Sequence, residues 1–155
     1  MIRSTSLLLA LLGFACASAG ALPEPEGGSI AVASDTALSL HQGTEHFYTR
    51  LVQRRVNTLE TFNDPLLRKF FRSEDLFFDY YAELAQSLAD AHFEKSRPFA
   101  IEVQEMIFDS PQSARVQVLF RGYDNRPLRP TRVKLLRREE WRYEQEAWWI
   151  KPSKL

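Results

Sequence analysis

From residue 44 to residue 62, apolar side chains return every three or four positions: Phe47, Leu51, Leu59 and Phe62, with Val52 and Val56 beside them. That spacing puts them on one face and predicts a long helix. A weaker helical turn precedes it over residues 37–41, set apart by Gly43. Asn63-Asp64-Pro65 ends the long helix and opens another, because an aspartate side chain accepts from free backbone N–H groups and proline suits the first helical position. A short helix over 66–71 follows, and Ser73 is the next cap. Phe77, Tyr80, Tyr81, Leu84, Leu88 and Ala91 then form a second long apolar stripe, which Pro98 stops.

After Pro98 the period changes to two. Phe99, Ile101 and Val103 alternate, and Met106 and Phe108 continue on the opposite parity, which predicts a β-bulge near Gln104 and Glu105 and a bend in the strand. Asp109-Ser110-Pro111 turns the chain into a second strand with Ala114, Val116, Val118 and Phe120 on one face. A connection over 122–130 leads to a third strand marked by Thr131, Val133, Leu135, Trp141 and Tyr143. A turn at 144–146 leads to a fourth, with Trp148 and Ile150 on one face and Trp149 on the other. Helices followed by an antiparallel meander predict an α+β domain, its helices on one side of a bent four-stranded sheet. Phe47, Leu51, Tyr81, Leu84, Leu88, Val116, Val118, Phe120 and Trp148 are its expected core.

The first residues belong to a different class of segment. Arg3 supplies a positive start, residues 7–15 are apolar without interruption, and Ala17-Ser18-Ala19 has the small-residue pattern of a secretory cleavage site. Residues 1–19 therefore read as an export signal, 20–34 as a Pro-, Gly- and Glu-bearing linker, and 35–155 as one domain of about 120 residues. The apolar run is too short to span a hydrocarbon core about 30 Å thick, and no later segment is long enough. Cys16 has two readings: removal with the signal, or lipidation as a membrane anchor, for which Gly13-Phe14-Ala15 is a poor lead-in. With Cys16 removed, no cysteine is left for a disulfide or a thiol nucleophile. A bacterial periplasm or envelope is the expected compartment, with the extracellular space as the alternative.

The bent first strand, the hairpins behind a helical first half and the closing Glu146-Ala147-Trp148-Trp149-Ile150 resemble nuclear transport factor 2-like domains. The resemblance covers residues 44–150 as architecture and only the last dozen as sequence. It implies a cone-like arrangement in which the helices face the bent sheet. The chain lacks the β-hairpin which that family inserts among its helices, and its mainly helical first half is closer to the periplasmic domains of type IV secretion subunits. No functional residue is carried over.

No catalytic, metal-binding or nucleotide-binding motif stands in the sequence, and no cofactor is expected. The resembling superfamily includes isomerases and cyclases with an acid or histidine inside the cone. On that analogy the candidates are Asp79, Tyr80, Tyr81 and His92 on the third helix, as base and hydrogen-bond donors, against the simpler reading of core aromatics beside a solvated acidic face. His41 and Glu45 have helical spacing for a shared ligand, but His46 lies five positions from His41 and points away, so no metal site is read there.

Charge says more. The chain balances 20 Lys and Arg against 20 Asp and Glu, yet arginine and lysine crowd the hairpin region. Arg115 and Arg121 share one parity, and Arg132, Lys134, Arg138 and Arg142 share another, so a good part of this charge can line one sheet face. Such a face suits an anionic lipid, an acidic protein or the acidic half of a second copy in a homodimer; the alternative is a solvated surface that protects a sheet edge. Nucleic acid is not an expected partner of an exported protein.

Three functional readings follow: a non-enzymatic envelope protein that binds a ligand or partner, a small cone-pocket enzyme of the isomerase or cyclase type, and a structural subunit of an envelope or secretion assembly. A pocket with a buried carboxylate or histidine would favour the enzyme, and an exposed aromatic patch around Trp141 and Trp149 would favour a partner. The export reading carries its own test. Intact-mass measurement of the protein recovered after export should give a chain beginning near Gly20, and a diacylglyceryl-modified Cys16 as first residue would overturn it.

Overall fold

Ser34–Arg54 forms one continuous helix, α1, with Leu40, Thr44, Phe47, Tyr48 and Leu51 buried along one side. The sequence predicted a break at Gly43, but a glycine inside a helix costs only about 1 kcal/mol, and the buried stripe runs through it. The computed structural model describes residues 31–128 and 131–153. The export signal over 1–19, Cys16 and the linker up to residue 30 lie outside these residues.

The real end of α1 comes earlier than the apolar pattern indicates. Arg55 and Asn57 take left-handed backbone angles, φ 61° and 63°. This turn carries Val56 into the core and leaves Leu59, expected on the buried stripe, 79% exposed. Leu59–Phe62 is a separate turn of helix, α2, whose cap Thr58 accepts from the Thr61 N–H. Pro65–Arg68 forms α3, and the expected Asp64 cap is present, its Oδ1 accepting from Leu66 N at 2.9 Å. Ser73 caps the long helix α4, Glu74–Asp90, by accepting from Leu76 N at 3.3 Å.

Helix α4 stops well before Pro98. His92 adopts φ 62°, and the strand β1, Phe93–Ser110, begins directly after it. Pro98 sits within this strand, which is tolerated because β1 is an edge strand and proline lacks only the N–H that a second neighbour would need. The other strands are β2, Ser113–Asp124, β3, Arg132–Glu144, and β4, Ala147–Lys151. They pair antiparallel in the order β1-β2-β3-β4, so the protein is an α+β fold with helices packed against a four-stranded sheet.

Register assigns the two faces. Val103 stands opposite Val118 and Glu105 opposite Gln117, which leaves Gln104 as the extra residue of the expected bulge. On the helix side lie Ala114, Val116, Val118 and Phe120 of β2, Trp141 of β3 and Trp148 and Ile150 of β4, all buried. Against them pack Phe47 and Tyr48 of α1 and Phe77, Tyr80, Tyr81, Leu84 and Leu88 of α4. All the residues expected in the core are buried. Trp141 is also fully buried, its ring met edge-on by Phe47, Tyr48 and Phe70, so of the aromatic pair considered as a patch only Trp149 reaches the surface, half-buried beneath Arg72. Among the described residues, no helix is long and apolar enough to cross a membrane.

Two substitutions test this packing. Leu84→Ala empties a fully buried site and should lower unfolding free energy by about 2 to 5 kcal/mol in urea titration. Gly122→Ala should be more damaging than an ordinary surface glycine replacement, because a Cβ there would overlap the Phe93 ring. Loss of less than about 1 kcal/mol from Leu84→Ala would mean that α4 presents another face.

Candidate functional site

The core-facing positions of β3 run Val133, Leu135, Arg137, Glu139, Trp141, Tyr143, so two charged residues stand in an apolar series. Glu139 is only 5% exposed. Its Oε2 accepts from the Tyr48 hydroxyl at 2.5 Å, and its Oε1 accepts from the Tyr80 hydroxyl at 3.0 Å. Arg137 Nε lies 3.3 Å from the same Oε1. The guanidinium also donates to Ser87 Oγ at 2.9 Å and to Glu83 Oε1 at 3.0 Å, tying β3 to α4. Burial pushes the Glu139 carboxyl above the ordinary range, with Arg137 and the two tyrosine hydroxyls pulling the other way. Burial, and then the Glu139 charge, push both tyrosine hydroxyls well up.

Beside this cluster, where β4 ends, opens a cleft of about 630 Å³. Tyr80, Arg137 and Glu139 line it from the helix side, and Arg115, Arg138 and Arg142 from the other. A carboxyl with a raised pKa at a cleft is a feature that acid–base catalysis uses. Here both neighbouring hydroxyls are already committed to it as donors.

The catalytic candidates do not converge. Tyr80 donates to Glu139, whereas Tyr81 turns away to the α1–α2 connection, donating to Thr58 O at 3.2 Å and accepting from Thr58 N at 3.1 Å. Asp79 is exposed on the outer face of α4. His92 is exposed in the left-handed turn before β1, not on the helix, and its backbone carbonyl accepts from Asn125 N. His41 and His46 line different clefts, and no group of three metal-ligating side chains occurs among the described residues.

The basic residues do converge. Register places Arg115 and Arg121 of β2 and Arg132, Lys134, Arg138 and Arg142 of β3 on the sheet face turned away from the helices. Strand β1 brings carboxylates to the same face, which charge counting along the hairpins does not show. Asp109 takes Arg115 at 2.6 Å and Glu102 takes Arg121 at 2.9 Å, while Glu140 pairs with Arg142 and, at 3.2 Å, with Lys151. The Arg115 hydrogen bond holds the Asp109 carboxyl below the ordinary range. Arg132, Lys134 and Arg138 have no acidic partner among the described residues; Arg132 rests 5.8 Å from the centre of the Phe99 ring. Leu136, between them on the same parity, is 53% exposed.

Sequence reasoning placed the basic face and missed the Glu139 cluster. Glu139 carries one usable signal in the sequence, its position two residues from Trp141 on the apolar parity of β3.

The buried carboxyl predicts a pH dependence. Because the folded-state pKa of Glu139 is raised, the folded protein holds the proton more tightly than the unfolded chain does. This group's stabilising contribution is therefore full below the ordinary carboxylate range, near 4.5, and is lost as pH rises through its raised value. Glu139→Gln removes that dependence, so the stability of wild type relative to the Gln variant should fall as pH rises above about 4.5 in urea titrations. Glu139→Ala, which leaves two hydroxyls and Arg137 without their acceptor, should cost about 3 to 5 kcal/mol. A pH-independent difference between wild type and Gln variant would show that Glu139 is not buried as described. No family model, curated protein or solved structure matches this chain, so its functional reading rests on these residues and their geometry.

Proposed function

We propose that this chain is an exported, non-enzymatic binding module that meets an anionic partner through the outward face of its sheet. The observation that carries the reading is the gathering of Arg132, Lys134 and Arg138, exposed and without an acidic partner among the described residues, on one parity of one strand. Exposed cations that stabilise a fold are normally neutralised by neighbours, as Arg115, Arg121 and Arg142 are here. Leaving them unpaired keeps a local positive potential that attracts an anion and sets the orientation of its approach. The exposed Leu136, Tyr123 and Phe99 add apolar contact to that face.

One observation favours the enzyme alternative: Glu139 borders the cleft as a carboxyl with a raised pKa. Against it stand the commitment of Tyr48 and Tyr80 to that carboxyl and an interior filled by the rings of Phe47, Phe71, Tyr80 and Trp141. A carboxyl so enclosed offers a substrate no approach from within the fold. The nuclear transport factor 2-like resemblance, on this reading, extends to architecture only.

Association with acidic probes tests the proposal. The protein should bind polyglutamate or phosphatidylglycerol vesicles at 0.1 M salt and release them by 1 M, because the Debye length shrinks from about 10 Å to about 3 Å over that range. The triple variant Arg132→Glu, Lys134→Glu, Arg138→Glu should lose at least about tenfold in affinity while keeping its circular dichroism, since those side chains are exposed. Unchanged binding by the variant, or no salt-sensitive binding by the wild type, would reduce the face to a solvated sheet surface.

A further inference from the structure

Strand β4 covers only part of β3. It pairs from Glu144↔Ala147 to Glu140↔Lys151 and then leaves at Pro152. Residues 132–139 of β3 keep their pairing with β2 but have no strand on their other side among the described residues. An open strand edge offers a row of backbone N–H and C=O groups to a visiting chain. The opposite edge, β1, is blunted by Pro98 and by the bulge at Gln104, and its outward residues include Glu102, Glu105 and Asp109. The β3 stretch has neither device: its register with β2 is unbroken from Tyr123↔Arg132 to Ser113↔Arg142.

Resting on the binding-module reading, we infer that the partner is an acidic, extended polypeptide segment that adds to the sheet as a strand along residues 132–139 of β3, in line with β4. Two independent features of that stretch specify the segment. The unpaired Arg132, Lys134 and Arg138 alternate on its outward side, so acidic side chains must alternate on the visitor. On the inward side Val133 and Leu135 are only partly buried at the edge, so the visitor's side chains beside them are apolar, while Arg137 and Glu139 farther along are already engaged with α1 and α4. Backbone pairing supplies the affinity and the alternation supplies the selection. The cleft of about 630 Å³ lined by Tyr80, Arg137, Arg138 and Glu139 begins where β4 departs, which leaves space for the incoming chain.

The test uses a ten-residue peptide of alternating glutamate and valine, titrated into the protein as purified after export. Companion peptides are a block sequence of the same composition and two forms N-methylated at every valine or at every glutamate. The alternating peptide should bind, slow amide exchange within 132–139, and outcompete the block peptide at least about tenfold. At least one N-methylated form should lose binding by a similar factor, because it lacks the N–H row that faces β3. If all four peptides bind alike and the triple charge reversal abolishes binding, strand addition is wrong while the basic face stands. Binding of phosphatidylglycerol vesicles without binding of the alternating peptide likewise overturns the peptide partner and keeps the basic face. If neither probe binds, both readings fail, and the charges of β3 serve only to keep an edge from pairing with copies of itself.

Discussion

A carboxyl group removed from water must be met by donors, and Glu139 accepts from the Tyr48 hydroxyl of α1 and the Tyr80 hydroxyl of α4, with the Arg137 guanidinium of its own strand beside it as counter-charge. Hydrophobic burial is not directional, whereas a buried acid accepts donors only at fixed distances. The rotation of each helix about its axis is thereby tied to a single point on the sheet. Around that point the rings of Phe47, Phe70, Phe71 and Trp141 pack edge to face, an arrangement that itself tolerates little rotation. An ion pair of this kind contributes little net stability against a well-packed apolar substitute, whereas removing one of its partners is costly because the other charge is left buried.

The sequence disclosed those parts of the structure that depend on neighbouring residues. Asp64-Pro65 and Ser73 mark helix starts by chemistry that acts within three positions, and the parity switch between Val103 and Met106 is a bulge written in the order of side chains. The left-handed turns at Arg55, Asn57 and His92 were illegible, because none uses glycine and the apolar period continues across the first of them by accident of Leu59 and Phe62. Pairing between strands was illegible for a related reason. That Asp109 and Glu102 neutralise Arg115 and Arg121 follows from the register across the β1–β2 hairpin, so charge counted along the chain overstated the basic face. The Glu139 cluster was half legible: the strand parity shows a buried acid, but the donors come from residues 48 and 80.

The interior between helices and sheet is filled by side chains. Its helix-facing side is occupied by rings and one buried acid, which leaves the cleft at the end of β4, the outer face and the edges as the sheet's accessible surfaces. Those surfaces differ in character, since β1 carries carboxylates and devices that discourage pairing, while β3 carries cations on a regular strand. The shortness of β4, five residues against the thirteen of β3, is what makes the second edge available.

Trp148, on that short last strand, donates its indole N–H to Thr36 O and Ser39 Oγ, both at 3.1 Å, and so fastens the first turns of α1 to the far end of the chain. No side chain caps the start of α1. Its opening turn therefore depends on a contact spanning more than a hundred residues, 112 between Thr36 and Trp148. Loops of that length close at an entropic penalty that only an assembled sheet can offset. A change that loosens β4 therefore also withdraws the indole donor from the first turns of α1, coupling two elements that lie far apart in sequence.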